Sequence, residues 1–216
     1  MPKVIDHELR RAQVVHALLR LTAERGLDEV SVAKVAAAAG VSVGLVQHYF
    51  ATKDEMLLLA FHTIDERFDE RLRRWLEDGG RDLAEVPARS LVREALSQLM
   101  PLDDERADEV RVWLAFCARG VATPQLAKVY ETALLRRVEQ MTDALRRGQA
   151  AGEIPAGLDI EAEALHLLAF AEGLAQQALL ASGHITAERV VDAVDARLGR
   201  VFTSPGTGSP GTGENA

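Results

Sequence analysis

The stretch of residues 31–53, SVAKVAAAAGVSVGLVQHYFATK, decides the fold of this chain. Ser31 can cap a short helix that ends at Ala39, because its hydroxyl can accept a backbone N–H of the first turn. Gly40 can adopt the positive φ that stops this helix, and Ser42 can cap the next one. Two short helices joined by a turn of about three residues have the dimensions of a helix-turn-helix.

The second of these helices, residues 42–50, carries a face suited to reading DNA. Its outward positions hold apolar, amide and imidazole groups and no charge. Such groups can contact base edges and thymine methyl groups in the major groove. We therefore predict that this is the recognition helix. Its outward residues are Val43, Gly44, Leu45, Gln47 and His48.

The charge pattern around this helix agrees with a nucleic-acid contact. No Asp or Glu lies between Val30 and Lys53, although the chain holds 33 acidic residues. Carboxylates repel phosphates, so their absence favours a surface that approaches a nucleic-acid backbone. Lys34 and Lys53 flank the helix, and Lys53 falls in a helical first turn whose N–H groups also attract phosphate. The alternative is an alanine-rich helical hairpin without a partner.

These residues also carry a resemblance. The segment 39–57, AGVSVGLVQHYFATKDEML, resembles the signature of the TetR family of transcriptional regulators. The resemblance is closer to the betaine-pathway (BetI-like) repressors, which share the MPK start, a paired Arg, the HYF triplet and a WLAF segment, here residues 113–116. It implies DNA contacts by His48, Tyr49 and Lys53, and a small-molecule cavity. The complete set of predicted DNA-binding residues is Ser31, Lys34, Ser42, Val43, Gly44, Leu45, Gln47, His48, Tyr49 and Lys53.

Length and composition set further bounds. A chain of 216 residues can form one large domain or two smaller ones, and its net charge of −8 argues against diffuse coating of nucleic acid. The single cysteine, Cys117, excludes an intramolecular disulfide and fits a reducing cytoplasm. The charged start MPKVIDHELRR has no apolar segment typical of a signal peptide. Polar residues interrupt the most apolar run, 164–181, which indicates a buried helix and no membrane span.

Helix signals continue to the end of the chain and predict an all-α fold. A first helix, 6–25, precedes the helix-turn-helix, and Thr52 with Glu55 forms a capping box that opens a long helix, 53–77. Asp78-Gly79-Gly80 breaks that helix. Further helices are predicted at 88–100, 103–121, 124–152, 159–182 and 186–202. The predicted units are an N-terminal helix-turn-helix domain at 6–66, a larger helical effector-binding and dimerisation domain at 80–202, and a disordered tail at 203–216.

The predicted helix at 159–182 is apolar on nearly all sides, so both of its faces must be covered. One face can pack in its own domain. The other, with Gly173 permitting close approach, can pair with a second copy of the chain together with the 186–202 helix, as a two-fold dimer. Complete burial within one chain is the alternative. The predicted interface residues are Gly173, Leu174, Ala178 and Leu180.

The rest of the chain offers no catalytic or metal-binding constellation. The six histidines lack ligand spacing, and no phosphate loop or nucleophile motif is present, so neither cofactor nor metal is expected. A mixed apolar and polar set on the later helices could instead line a small-molecule cavity, with ordinary core packing as the alternative for each member. These candidates are His62, Trp113, Phe116, Cys117, His166, Phe170, Glu172 and Gln176.

The sequence therefore predicts a ligand-responsive DNA-binding regulator of transcription, most simply a repressor. It would bind a palindromic operator as a homodimer in the cytoplasm and be released by a small molecule. A helical enzyme using the same cavity and an architectural DNA-binding protein are the rival functions. Activation of transcription and the identity of the effector stay open.

Overall fold

The structure is a computed structural model that describes residues 2–26, 29–50 and 52–203, with side chains from residue 9 onward. Every regular element in these ranges is an α-helix, which confirms the predicted all-α class. In chain order the helices are α1 (Pro2–Arg25), α2 (Val32–Ala39), α3 (Val43–Tyr49), α4 (Lys53–Asp78), α5 (Ala88–Gln98), α6 (Asp104–Gly120), α7 (Pro124–Ala150), α8 (Ile160–Leu180) and α9 (Ala187–Leu198).

Several helix ends differ from the prediction. Helix α1 begins at Pro2, four residues before the predicted start at residue 6. Helix α9 ends at Leu198, because the chain turns after Gly199 and buries Phe202 in the core. From residue 204 the predicted tail lies outside the described residues.

The N-terminal helices α1–α4 enclose one apolar core. Helix α6, which comes from later in the chain, closes this core with a fully buried valine. Helix α1, on which α2 packs, therefore rests on α6 as well as on α4. The least exposed members of the cluster are Val14, Leu18, Val35, Val46, Ala60 and Val112.

A second, larger core lies among α5, α7, α8 and α9, with fully buried leucines such as Leu96, Leu145 and Leu167. The far end of α4 packs against it through Leu72 and Leu76. Helices α4 and α6 thus belong to both halves of the molecule. The division into units at 6–66 and 80–202 stays a prediction.

Candidate DNA-binding surface and effector cavity

The helix-turn-helix has the capping that its sequence predicts. The Ser31 hydroxyl accepts a hydrogen bond from the backbone N–H of Lys34 at 3.3 Å, and the Ser42 hydroxyl accepts one from Leu45 at 3.2 Å. Gly40 adopts φ 67° and ψ 30°, the left-handed conformation that ends a helix. Both serine hydroxyls therefore hold the helix ends, and this fixes the angle at which α3 leaves α2.

Helix α3 has a buried face and an exposed face. Val46 is fully buried, and Leu45 and Tyr49 are partly buried, with Tyr49 packed against the N-terminal core. Val43 is 43% exposed, and Gly44, Gln47 and His48 are exposed beside it. The predicted outward face therefore exists, with Leu45 and Tyr49 at its edge.

Lys34, one of the two lysines that flank α3, forms an ion pair that its sequence does not predict. Lys34 Nζ lies 2.7 Å from a carboxylate oxygen of Glu29, which is the acid just before the acid-free stretch. The Lys34 ammonium lowers the pKa of the exposed Glu29 carboxyl. A phosphate would have to compete with this contact, although exposed ion pairs are weak.

At the start of α4, the Thr52 hydroxyl caps the helix by accepting from the N–H of Glu55 at 3.1 Å. Lys53 follows it and is exposed. The next residue, Asp54, accepts a hydrogen bond from Arg119 Nε on α6 at 2.9 Å. The first turn of α4 is thus tied to the end of α6 next to the predicted phosphate contact.

Helix α6 contributes side chains to three packing regions. Val112 lies in the N-terminal core, and Val110 lies in the larger core. Between them Phe116 is fully buried and stacks on Phe61 of α4 with ring centroids 4.1 Å apart. Phe116 was predicted to line a cavity, and the structure places it in a small apolar cluster instead.

The other predicted cavity residues do not share one site. Trp113 and Glu172 line a small cavity of about 50 Å³ beside α4 and α7. His62 faces a broad surface depression at the start of α7. On α8, His166 and Gln176 are exposed and Phe170 packs against the larger core. Trp113 and Glu172 are thus the two of the eight candidates that share this cavity.

Glu172 is one of several polar residues that line that small cavity. Both of its carboxylate oxygens lie 3.2 Å from the Tyr130 hydroxyl, which donates to them. Burial raises the pKa of the Glu172 carboxyl, and the bond from Tyr130 and the nearby Arg137 partly oppose that rise. Burial and the Glu172 charge raise the pKa of the Cys117 thiol to about 12, so this thiol stays protonated at neutral pH.

A larger cavity, which the sequence did not predict, lies between α4, α5, α7 and α8. Its volume is about 460 Å³, within the usual range for small-molecule sites. Its walls are mostly apolar side chains three or four residues apart on α4, α5 and α7. This spacing is visible in the sequence but also describes ordinary core packing. Representative wall residues are Leu72, Leu76, Leu91, Leu99, Met141 and Leu168.

The predicted interface on α8 is partly free. A Cβ atom at Gly173 would meet no heavy atom within 4 Å among the described residues, and Leu180 is 74% exposed. Leu165, 49% exposed, extends this surface. Leu174 is partly buried, whereas Ala178 is only 5% exposed and lies in the core of its own chain. Ala178 is therefore not part of the free face.

Two family models match this chain. One, described as "BetI-type transcriptional repressor, C-terminal", covers residues 87–203, and another, "Bacterial regulatory proteins, tetR family", covers residues 14–60. The first alone spans more than half of the chain. The chain belongs to the TetR family. As a TetR-family member it is a DNA-binding transcriptional regulator and not an enzyme, and the resemblance drawn from residues 39–57 is confirmed.

Individual proteins support the same conclusion. The transcriptional regulator PksA of Bacillus subtilis is 32% identical over 190 residues, which cover 88% of each chain. A BetI regulator of Burkholderia cenocepacia is 33% identical over 130 residues, 60% of this chain and 64% of the relative. A Saccharomonospora viridis regulator solved with choline shares the fold at a TM-score of 0.80 and 22% identity, covering 91% of this chain and 99% of its own.

Within the described ranges, no three His, Cys, Asp or Glu side chains are grouped so that they could hold a metal ion. None of the described helices of this TetR-family chain is long and apolar enough to cross a membrane.

Proposed function

We propose that this TetR-family chain is a ligand-responsive regulator, most simply a repressor, that binds a palindromic operator as a cytoplasmic homodimer. The proposed DNA-binding residues are those predicted above, with the exposed side chains of Val43, Gln47 and His48 reading bases and Lys53 contacting phosphate. One short recognition helix reads few base pairs, so a two-fold pair would supply the specificity that a regulator needs.

The observation that carries the ligand response is the course of α4. Its first residue, Lys53, lies beside the proposed DNA-binding surface, and Phe68, Leu72 and Leu76 line the 460 Å³ cavity. The helix rises 1.5 Å per residue, so Lys53 and Leu72 are about 28 Å apart along one continuous helix. A molecule that moves the cavity wall would also move the DNA end.

Helix α6 adds a second connection between the cavity side and the DNA side. Its Arg119 is bonded to Asp54 at the DNA end of α4, and its Glu109 is bonded to Arg71 near the cavity end. A ligand that favours a different packing of α4 on α6 would release DNA, provided that it binds the released arrangement more tightly.

The experiment is a selection of duplexes from a random pool with the full chain, followed by fluorescence anisotropy on the selected sequence. We expect the selected DNA sequence to be a palindrome that binds two chains per duplex. Its affinity for the protein should fall when an effector is present. A non-palindromic site bound by one chain would overturn the dimeric part. A promoter-reporter assay then separates repression from activation.

The choline bound by the Saccharomonospora protein is not proposed as the effector of this chain, since 22% identity supports the fold alone.

A further inference from the structure

The 460 Å³ cavity combines a long apolar wall with a few charged groups. Apolar side chains, most of them from α4 and α5, form most of its lining, and Leu83 of the α4–α5 connection, which also lines it, is 49% exposed. Apolar walls favour an apolar molecule of matching size, because binding removes apolar surface from water. The charged groups then decide which headgroup such a molecule carries.

Arg147 lines the cavity, and no carboxylate among the described residues lies within ion-pair distance of it. Its Nη1 donates to the backbone carbonyl of Leu83. Its Nη2 is shielded from solvent and makes no hydrogen bond within the described part of the chain. A guanidinium nitrogen without a partner is costly to bury, and its two N–H groups could donate to a ligand after a rotation of the Arg147 side chain toward the cavity that this residue lines.

The other lining charges are occupied by neighbours. Arg137 Nη2 lies 2.7 Å from Asp65, and Arg73 is paired with Glu70. The two lining acids, Asp69 and Asp143, lie 3.4 Å and 3.7 Å from the guanidiniums of Arg136 and Arg146. A second guanidinium nitrogen, Nε of Arg137, is also shielded and makes no hydrogen bond. The lining itself therefore holds three guanidiniums and two carboxylates, an excess of one positive charge.

We propose that this cavity binds an apolar molecule with one anionic headgroup, which accepts hydrogen bonds from Arg147. The inference rests on the proposed ligand response and names the chemical class of the effector. A carboxylate and a phosphate monoester share the required chemistry, since both present anionic oxygens to a guanidinium. The headgroup lies at the end of α7 nearest Leu83, and the apolar body lies among the leucines of α4 and α5.

The test compares decyl compounds that differ only in the headgroup, by isothermal titration calorimetry on the full chain without DNA. Decanoate and decyl phosphate are the anions, decanol is the neutral control and decylammonium is the cation. The expected order places an anion at least tenfold tighter than decanol, with decylammonium weakest. The tighter of the two anions identifies the headgroup. Equal binding of anion and neutral compound, or tighter binding of decylammonium or choline, would overturn the proposal.

Two variants locate the site. Arg147→Leu should weaken the binding of the preferred anion by roughly ten- to a hundredfold, because it removes a hydrogen bond to a charged group. Decanol binding should hardly change. The matched control is Arg111→Leu, since Arg111 is exposed on α6 and neither it nor its ion-pair partner Asp108 belongs to the cavity lining. Unchanged anion binding in Arg147→Leu would place the headgroup elsewhere and overturn the assignment.

Ala95→Phe fills the cavity from α5 and should weaken the anions and decanol alike. If a folded Ala95→Phe protein binds the decyl compounds as tightly as the wild type does, the compounds do not bind in this cavity.

DNA release is measured separately by anisotropy. If the anion binds through Arg147 but leaves DNA affinity unchanged, the site assignment stands and the ligand response fails. If choline or another non-anionic molecule releases DNA, the ligand response stands and the anionic class fails.

Discussion

Arg71 on α4 and Glu109 on α6 form a two-pronged ion pair, with Nη2–Oε2 2.8 Å and Nη1–Oε1 3.1 Å apart. Glu109 is 5% exposed, and it is one of the few charged side chains buried in the described part of the chain. Both helices span the two halves of the molecule, so this pair fixes their relative position near the cavity.

Glu109→Ala should destabilise the fold by about 3 kcal/mol, because it removes the buried carboxylate that pairs with two partly buried arginines, Arg71 and Arg67. Urea unfolding followed by circular dichroism measures the change. The control is Glu105→Ala, whose carboxylate also contacts Arg67 but is 66% exposed. That change should cost no more than about 1 kcal/mol. Equal losses in the two variants would mean that burial of Glu109 does not matter.

Lys53→Ala should weaken binding by similar factors on the selected operator and on unrelated DNA, because a phosphate contact positions the protein without reading sequence. The slope of log K against log salt should become shallower by about one unit. Lys128→Ala, an exposed lysine on α7, serves as the control. A wild-type slope for the Lys53 variant would exclude it from the phosphate contacts.

Gln47→Ala should behave differently. The side chain is exposed on α3, and loss of one base contact should cost roughly 1–3 kcal/mol of specific affinity while binding to unrelated DNA stays nearly unchanged. Competition anisotropy with the operator and an unrelated duplex gives the ratio of specific to non-specific affinity. Leu45→Ala is less diagnostic, since Leu45 is partly buried and its truncation also removes packing. An unchanged ratio for Gln47→Ala would argue against α3 as the reading element.

Glu172→Gln should stabilise the protein at neutral pH. Burial raises the folded pKa of this carboxyl above its ordinary value of 4.5, so the unfolded state loses its proton first as pH rises. Below pH 4.5 both proteins carry a neutral group and should differ little. Above it the wild type loses stability relative to the variant until the pH exceeds the folded pKa. Thermal melts of both proteins from pH 4 to 8 measure this difference in stability. A difference that does not change with pH would contradict the raised pKa of Glu172.

The helix-turn-helix could be predicted from sequence because its signals are local. Ser31, Gly40 and Ser42 each act within a few residues of their position, and all three adopt the expected conformations. The acid-free stretch was less informative, because Glu29 lies just outside it and still reaches Lys34. Charge contacts between neighbouring turns are not visible in a count of residues.

The cavity could not be predicted in the same way. Its lining comes from α4, α5, α7 and α8, and only the packed fold brings those side chains together. His166 and Gln176 were chosen for their chemistry, but α8 is apolar on most sides and its sequence does not show which face is buried. For the same reason the sequence predicts Ala178 at the interface, whereas the structure buries it in the core of its own chain.

The dimer supports the whole account of DNA reading, and Gly173→Leu probes it without disturbing the protomer. A Cβ atom at this position would meet no heavy atom within 4 Å in the described part of the chain. Leucine also favours a helix by about 1 kcal/mol over glycine, so the fold should not weaken. If the α8 face pairs with a second copy, the added bulk separates the two helices. Ala118→Leu, on an exposed position of α6, is the control.

The most direct measurement is sedimentation equilibrium of the full wild-type chain, Gly173→Leu and Ala118→Leu, each alone and with the selected operator. We expect the wild type and Ala118→Leu each to form a dimer that binds one duplex with two chains. Gly173→Leu should shift toward monomer and bind the operator more weakly. A monomeric wild type that binds its operator as a single chain would contradict the two-fold reading of DNA. An undisturbed Gly173→Leu dimer would contradict the α8 interface.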